Sequence, residues 1–186
     1  MEQLYREQVV LMFHSRSSDA PPGRGASESV APEAVAPMEL TNIPHWRRLL
    51  SNFAVSPFGL HGLRWHSVEH CFQATKFRTV DPAYYHSFCL DSGTELSTSE
   101  GAPVKRAGGR RARPLDAAAR EAWETCKYKV LEAALEAKFR AHALHRRVLL
   151  ATGDAKLTHR PARSRHVIVE IGLMRVRKLL RDELEV

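Results

Sequence analysis

The chain has 186 residues, 44% of them apolar, and 28 Lys+Arg against 21 Asp+Glu give it a formal net charge of +7. That is enough chain to bury one good core, so one domain over residues 1–186 is expected. No apolar run approaches the ~18 residues of a membrane span, and the opening MEQLYREQVV has no basic leader. A soluble intracellular protein, cytoplasmic or nuclear, is the expectation, and Cys71, Cys89 and Cys126, odd in number and far apart, exclude a disulfide framework and read as small buried apolar residues.

In chain order, VVLMF at 9–13 has strand composition, and APPGRGASE at 20–28 breaks it with two prolines and two glycines. Residues 26–40, rich in Ala and Pro without a sustained period, read as a mobile insertion. The core resumes at LSNF, followed by a short strand pair in FGLHGLRW at 58–65 with Gly62 in the turn. Ser67 caps a helix running to about Phe77, and Asp81 with Pro82 opens another. Asp116 starts the longest helix, to about Arg140, with Trp123, Cys126, Val130, Ala134 and Leu135 on one face. A helix over 143–151 ends at Gly153, and a last one spans about 167–184, carrying Val167, Ile171, Met174, Leu179 and Leu180. The fold class is therefore α+β, mostly helical, with a small β-hairpin or sheet.

The excess positive charge is clustered. KRAGGRRAR at 105–113 and HRPARSRH at 159–166 flank the longest helix, and two such runs favour a phosphate-bearing or nucleic-acid partner over plain solvated loops.

Residues 66–70, HSVEH, match H-x-x-E-H, a spacing that on a helix brings two histidines to one face as zinc ligands with the carboxylate as base. A zinc site needs a third protein ligand, and a cap at Ser67 leaves His66 outside the helix, so the metal reading is the weaker one. No metal and no cofactor are expected. The other reading gives Glu69 a role of its own, since Gln73 at i+4 and Lys76 at i+7 share its face beside an apolar stripe of Val68, Phe72 and Thr75.

LSNFAVSPFGLHGLRWHSVEHCFQATKF at 50–77 resembles the NADAR family, also called YbiA-like, whose members share S-N-F, P-F and S-V-E-H-x-F-Q-A-x-K-F. The likeness continues in EAWETCKYKVLEAALEAKF at 121–139 and LLATGDAKL at 149–157, and LMFHSRSSDAPPGRGASE resembles the family's opening F-Y-S-x-S segment and one A-P-P-G-[KR]-G subgroup. Where many relatives carry D-x-x-W-G before the final helix, this chain has HRPARSRHVIVEIGLMRVRKLL, so roles tied to that aspartate and tryptophan are not carried over.

The resemblance implies a YbiA-like fold and an N-glycosidase, a hydrolase cleaving the bond between ribose and an amine or base. The substrates it implies are ADP-ribosylated guanine, met free or within nucleic acid, or riboflavin-pathway intermediates. A module that binds ADP-ribose or nucleic acid without cleaving it is the alternative. Such cleavage builds positive charge at the anomeric carbon, which a nearby carboxylate stabilises or relieves by activating water. By its match to the family's S-V-E-H, Glu69 is the catalytic candidate. Trp123, matching the family's tryptophan at the start of the long helix, is expected to stack on the leaving base or to pack in the core. Asn52 is expected to bond ribose hydroxyls or a base edge, and Phe53 to fix its loop. Arg24, between two glycines that let a phosphate approach, Glu28 close behind it, Lys76 and Arg110 complete the candidate substrate-binding set.

Overall fold

A computed structural model describes residues 3–161 and 166–185. In chain order its elements are β1 (Arg6–Met12), β2 (Ser29–Val30), α1 (Trp46–Leu50), β3 (Phe58–Leu60), β4 (Leu63–Trp65), α2 (Val68–Thr75), α3 (Pro82–Ser87), α4 (Glu95–Thr98), α5 (Ala102–Ala107), α6 (Ala117–Ala141), α7 (Ala143–Ala151), β5 (Ala155–His159), β6 (Ile168–Val169) and α8 (Ile171–Asp182). Short 3-10 turns lie at Met38–Asn42 and Leu90–Ser92. The chain is a mixed helix-and-sheet protein, as expected, and its residues fall into two compact units, 1–51 with 143–186 and 52–142. Among the described residues no helix is long and apolar enough to cross a membrane.

The first unit is built on a four-stranded sheet of order β2-β1-β5-β6. β1 and β5 run parallel, with Leu11 opposite Leu157 and Met12 opposite Thr158, while β2 and β6 are antiparallel edges. Helix α8 lies on β5, where the Leu157 amide donates to Met174 Sδ at 3.4 Å. The last helix is shorter than its sequence suggests. The β-branched run at 167–169 pairs Val169 with Thr158 and Ile168 with His159, so the chain turns helical only at Ile171.

Residues 26–40, expected as a mobile insertion, are tied at both ends: Ser29 and Val30 pair with β1, and Met38–Asn42 form a 3-10 turn. The loop before them is organised from inside by Glu28, whose side chain has no exposed surface. Its carboxylate accepts from the amides of Met12, Gly23 and Gly25 at 3.0–3.1 Å and from Arg47 Nε and Nη2, each at 2.7 Å. Arg47 is itself buried, stacks 4.1 Å over the Trp46 ring and donates to the carbonyls of Ala20 and Pro21. The two glycines are required for steric reasons. A Cβ on Gly25 would meet the Glu28 carboxyl carbon at 2.7 Å, and Gly23, at φ +81°, would meet Val30 Cγ2 at 2.6 Å.

The second unit opens with the β3–β4 hairpin, Phe58 paired with Trp65 and Leu60 with Leu63. Its two-residue turn is His61-Gly62, both at positive φ (55° and 76°), the backbone hand that suits a tight hairpin. The caps behave as the sequence suggests: Asp81 Oδ1 accepts the Tyr84 amide at 3.0 Å to open α3, and Asp116 Oδ1 accepts the Ala119 amide at 2.7 Å to open the 25-residue α6. Helix α6 packs across α2 and β3, burying Trp123, Ala134, Leu135 and Phe139. Cys71 and Cys89 are buried and Cys126 half-buried, all three as free thiols.

The Glu28–Arg47 pair gives a direct stability test. Removing one partner strands a buried charge, so Glu28→Gln and Arg47→Met should each lower unfolding free energy by about 3–5 kcal/mol. Urea unfolding reads this out.

Candidate active site

The second unit brings four of the expected residues onto one small patch around the first turns of α2. Ser67 has extended backbone (φ −155°, ψ 167°) and its hydroxyl turns to His70 Nδ1 at 2.8 Å instead of capping the helix amides. The first amides of any helix lack partners inside it, and that of Glu69 donates to the Asn52 carbonyl at 2.9 Å. One hydrogen bond thus fixes the S-N-F turn to the backbone of the candidate carboxylate. Glu69 is buried, the residue being 6% exposed.

From Glu69 a polar chain follows the helix face read from the i, i+4, i+7 spacing. Glu69 Oε1 accepts from Gln73 Nε2 at 2.8 Å; Gln73 Oε1 in turn accepts from Lys76 Nζ, and Lys76 Nζ also donates to the Gly108 carbonyl at 2.9 Å. Burial pulls the Lys76 ammonium below its ordinary 10.5 and Lys105 adds to this, while the negative charges of Glu69 and Glu124 oppose it. Lys76 therefore lies within electrostatic reach of Glu69. Its Nζ also sits 5.7 Å from the Trp123 ring centre and 5.8 Å from that of Phe72, and the two rings meet edge to face at 4.9 Å. Trp123 is only 9% exposed and packs against Phe72.

Asn52 is half-buried, and its side chain makes no hydrogen bond among the described residues, which leaves its amide for a ligand. Phe53 is half-buried in the same turn. Arg110 is exposed, two residues past Gly108 on the loop that receives Lys76. Arg24 and Glu28 belong to the first unit. Arg24 is exposed with no side-chain bond among the described residues, whereas the Glu28 carboxylate, wrapped by five donors and closed to solvent, has no surface to offer a substrate. Of the second basic run, 162–165 lie outside the described residues. His159 pairs with Glu170 at 3.1 Å and Arg160 bonds Ser27 Oγ at 3.0 Å.

Two participants escaped the sequence. Gly108 approaches Gln73 so closely that a Cβ there would fall 2.0 Å from Gln73 Oε1, and nothing in KRAGGRRAR marks that contact. Arg47 likewise carries no local signal of its bond to Glu28.

The H-x-x-E-H spacing serves packing. His70 is 1% exposed, with Nδ1 on Ser67 and Nε2 on the Leu96 carbonyl at 3.2 Å, so both ring nitrogens are engaged. His66 stands edge-on to it at 5.4 Å. Among the described residues no three His, Cys, Asp or Glu side chains are grouped to hold a metal ion.

A family model described as NADAR domain matches residues 41–166, and the chain belongs to that family. It is 39% identical over 107 residues to proteins named N-glycosidase YbiA of Shigella boydii serotype 4 and of Escherichia coli strain K12. The aligned stretch covers 58% of this chain and 59% of each relative, so the chain spans about three-fifths of the length of the curated relatives it matches. The NMR structure of the Escherichia coli protein YbiA superposes with a TM-score of 0.59 at 26% identity, covering 98% of this chain and 89% of that one.

Two outcomes follow. Burial, and then the neighbouring His66, push His70 from an ordinary 6.5 down to about 4, so the folded protein keeps a neutral ring where the unfolded chain takes up a proton. Stability should fall as pH drops from about 6.5 toward about 4, and His70→Gln should flatten that slope in urea midpoints measured across the range. Gly108→Ala should cost about 1–3 kcal/mol in thermal unfolding, because the added methyl displaces Gln73.

Proposed function

We propose that the chain is an N-glycosidase that hydrolyses the bond between ribose and the nitrogen of an amine or base, with ADP-ribosylated guanine as the preferred substrate. The observation that carries this reading is the buried Glu69 carboxylate, fixed through its amide to Asn52 and through its side chain to Gln73. Support comes from the names of the relatives and from a polar, aromatic and cationic neighbourhood that suits a phosphorylated nucleoside.

In this mechanism water attacks the anomeric carbon as the C–N bond breaks. The water oxygen bonds to carbon, one water proton passes to Glu69, and that proton is handed on to the departing nitrogen, which leaves with the bonding pair and returns Glu69 to its carboxylate. The carboxylate also faces the positive charge that grows on the sugar ring, an interaction strengthened by its withdrawal from water. The Asn52 amide bonds the ribose hydroxyls or a base edge. Trp123 stacks on the leaving base, and Arg110 and Lys76 are the candidate phosphate contacts.

Incubation with ADP-ribosylated guanine in an oligonucleotide, and in parallel with a phosphoribosylated pyrimidine amine, should release ADP-ribose from the first, detected by mass spectrometry. Glu69→Gln should lower that turnover by about 10²- to 10⁴-fold while leaving the thermal unfolding transition in place. Cleavage of the pyrimidine amine alone would reject the guanine preference, and full activity in Glu69→Gln would reject the catalytic assignment.

A further inference from the structure

The loop that receives Lys76 carries a cluster of charge of which the hydrolytic reading uses only Arg110. Between Gly101 and Leu115 the sequence contains five cationic residues and no acidic one. Lys105 and Arg106 close α5, and Arg110 and Arg111 lie in the turns beyond it; all four are exposed, and none of their side chains has a hydrogen bond or ion pair among the described residues. Arg113 differs, being paired with Asp81 and stacked 4.5 Å over the Tyr84 ring.

The backbone carrying these charges is held in place. Tyr84 Oη donates to the Ala107 carbonyl at 3.0 Å, Lys76 Nζ to that of Gly108 at 2.9 Å, and the Gly109 amide to that of Arg106 at 2.9 Å. Crowding like charges has a cost that is visible locally, since Lys105 helps to depress the Lys76 ammonium. Four unpaired cations on an anchored backbone, within one carbonyl contact of the Glu69–Gln73–Lys76 chain, form a surface complementary to a run of phosphates. A membrane surface suits it less, because no large apolar side chain from 105 to 113 is available to insert.

We infer that residues 105–111 are a docking surface for the phosphodiester backbone of a nucleic-acid strand, which delivers a modified base to Glu69. The surface binds the strand whether or not it is modified; only the delivery rests on the function proposed above.

The probe is a short unmodified single-stranded oligonucleotide followed by fluorescence anisotropy between about 50 and 200 mM salt. The parent should bind with a steep salt dependence. The triple variant K105Q/R106Q/R111Q should lose about 2 from the log–log slope, at about 0.7 per phosphate contact, and bind roughly tenfold or more weakly at low salt. Its KM should rise more for oligonucleotide-borne ADP-ribosylated guanine than for the free modified nucleoside, and Glu69→Gln should bind as the parent does. An unchanged slope in the triple variant, no binding by the parent, or tighter binding of the parent to phosphatidylserine vesicles than to the oligonucleotide would overturn the inference. Salt-dependent binding lost in the triple variant, with no turnover of either substrate by the parent, would support the docking surface and reject the N-glycosidase reading.

Discussion

A helix begins with amides that have no acceptor within it, and in α2 one of them settles the geometry of the candidate site. The Glu69 amide is given to the Asn52 carbonyl at 2.9 Å, which ties Asn52 to the first turn of the helix. The carboxylate then leaves the helix over a row of its own residues, Gln73 and Lys76, and the loop carbonyl of Gly108 closes the row. Each link is short in sequence except the last, and the last is possible because Gly108 has no side chain.

The chain buries two glutamates in different ways, and the contrast is informative. Glu28 is closed to solvent and neutralised by a guanidinium, with three backbone amides completing its shell; this is how a loop is stapled to a sheet. Glu69 is 6% exposed and is held by a neutral amide, with an ammonium one residue further along the chain of bonds. The first arrangement spends its carboxylate on the fold. The second keeps a carboxylate in a low-dielectric setting, where its interaction with a nearby developing charge would be strongest.

What could be read from the sequence was what local chemistry dictates. Caps at Asp81 and Asp116 marked two helix starts, Ser67 marked the start of α2 by position although its hydroxyl bonds His70 and not the helix amides, Gly62 marked the hairpin turn, and the i, i+4, i+7 spacing placed Gln73 and Lys76 beside Glu69. The parallel partnership of β1 with β5 was not legible, because it joins residues some 150 positions apart and neither strand alternates cleanly. The Glu28–Arg47 pair, 19 residues apart, was hidden because nothing local to Arg47 signals it, so Glu28, a candidate substrate contact by its place close behind Arg24, proves to be a fastening for that loop. Trp123 was visible as one residue on an apolar stripe, but how much of its face is covered by Phe72 depends on the crossing of α6 over α2, which no pattern encodes.

The central claim is that the side chain at position 69 meets the anomeric carbon of a ribosyl substrate. A crystal structure of the Glu69→Gln protein with an intact ADP-ribosylated guanine nucleoside measures this directly. The account predicts the substituted amide within about 2.6–3.2 Å of the water poised at that carbon. A ribose bound with no part of it near the first turn of α2 would contradict it.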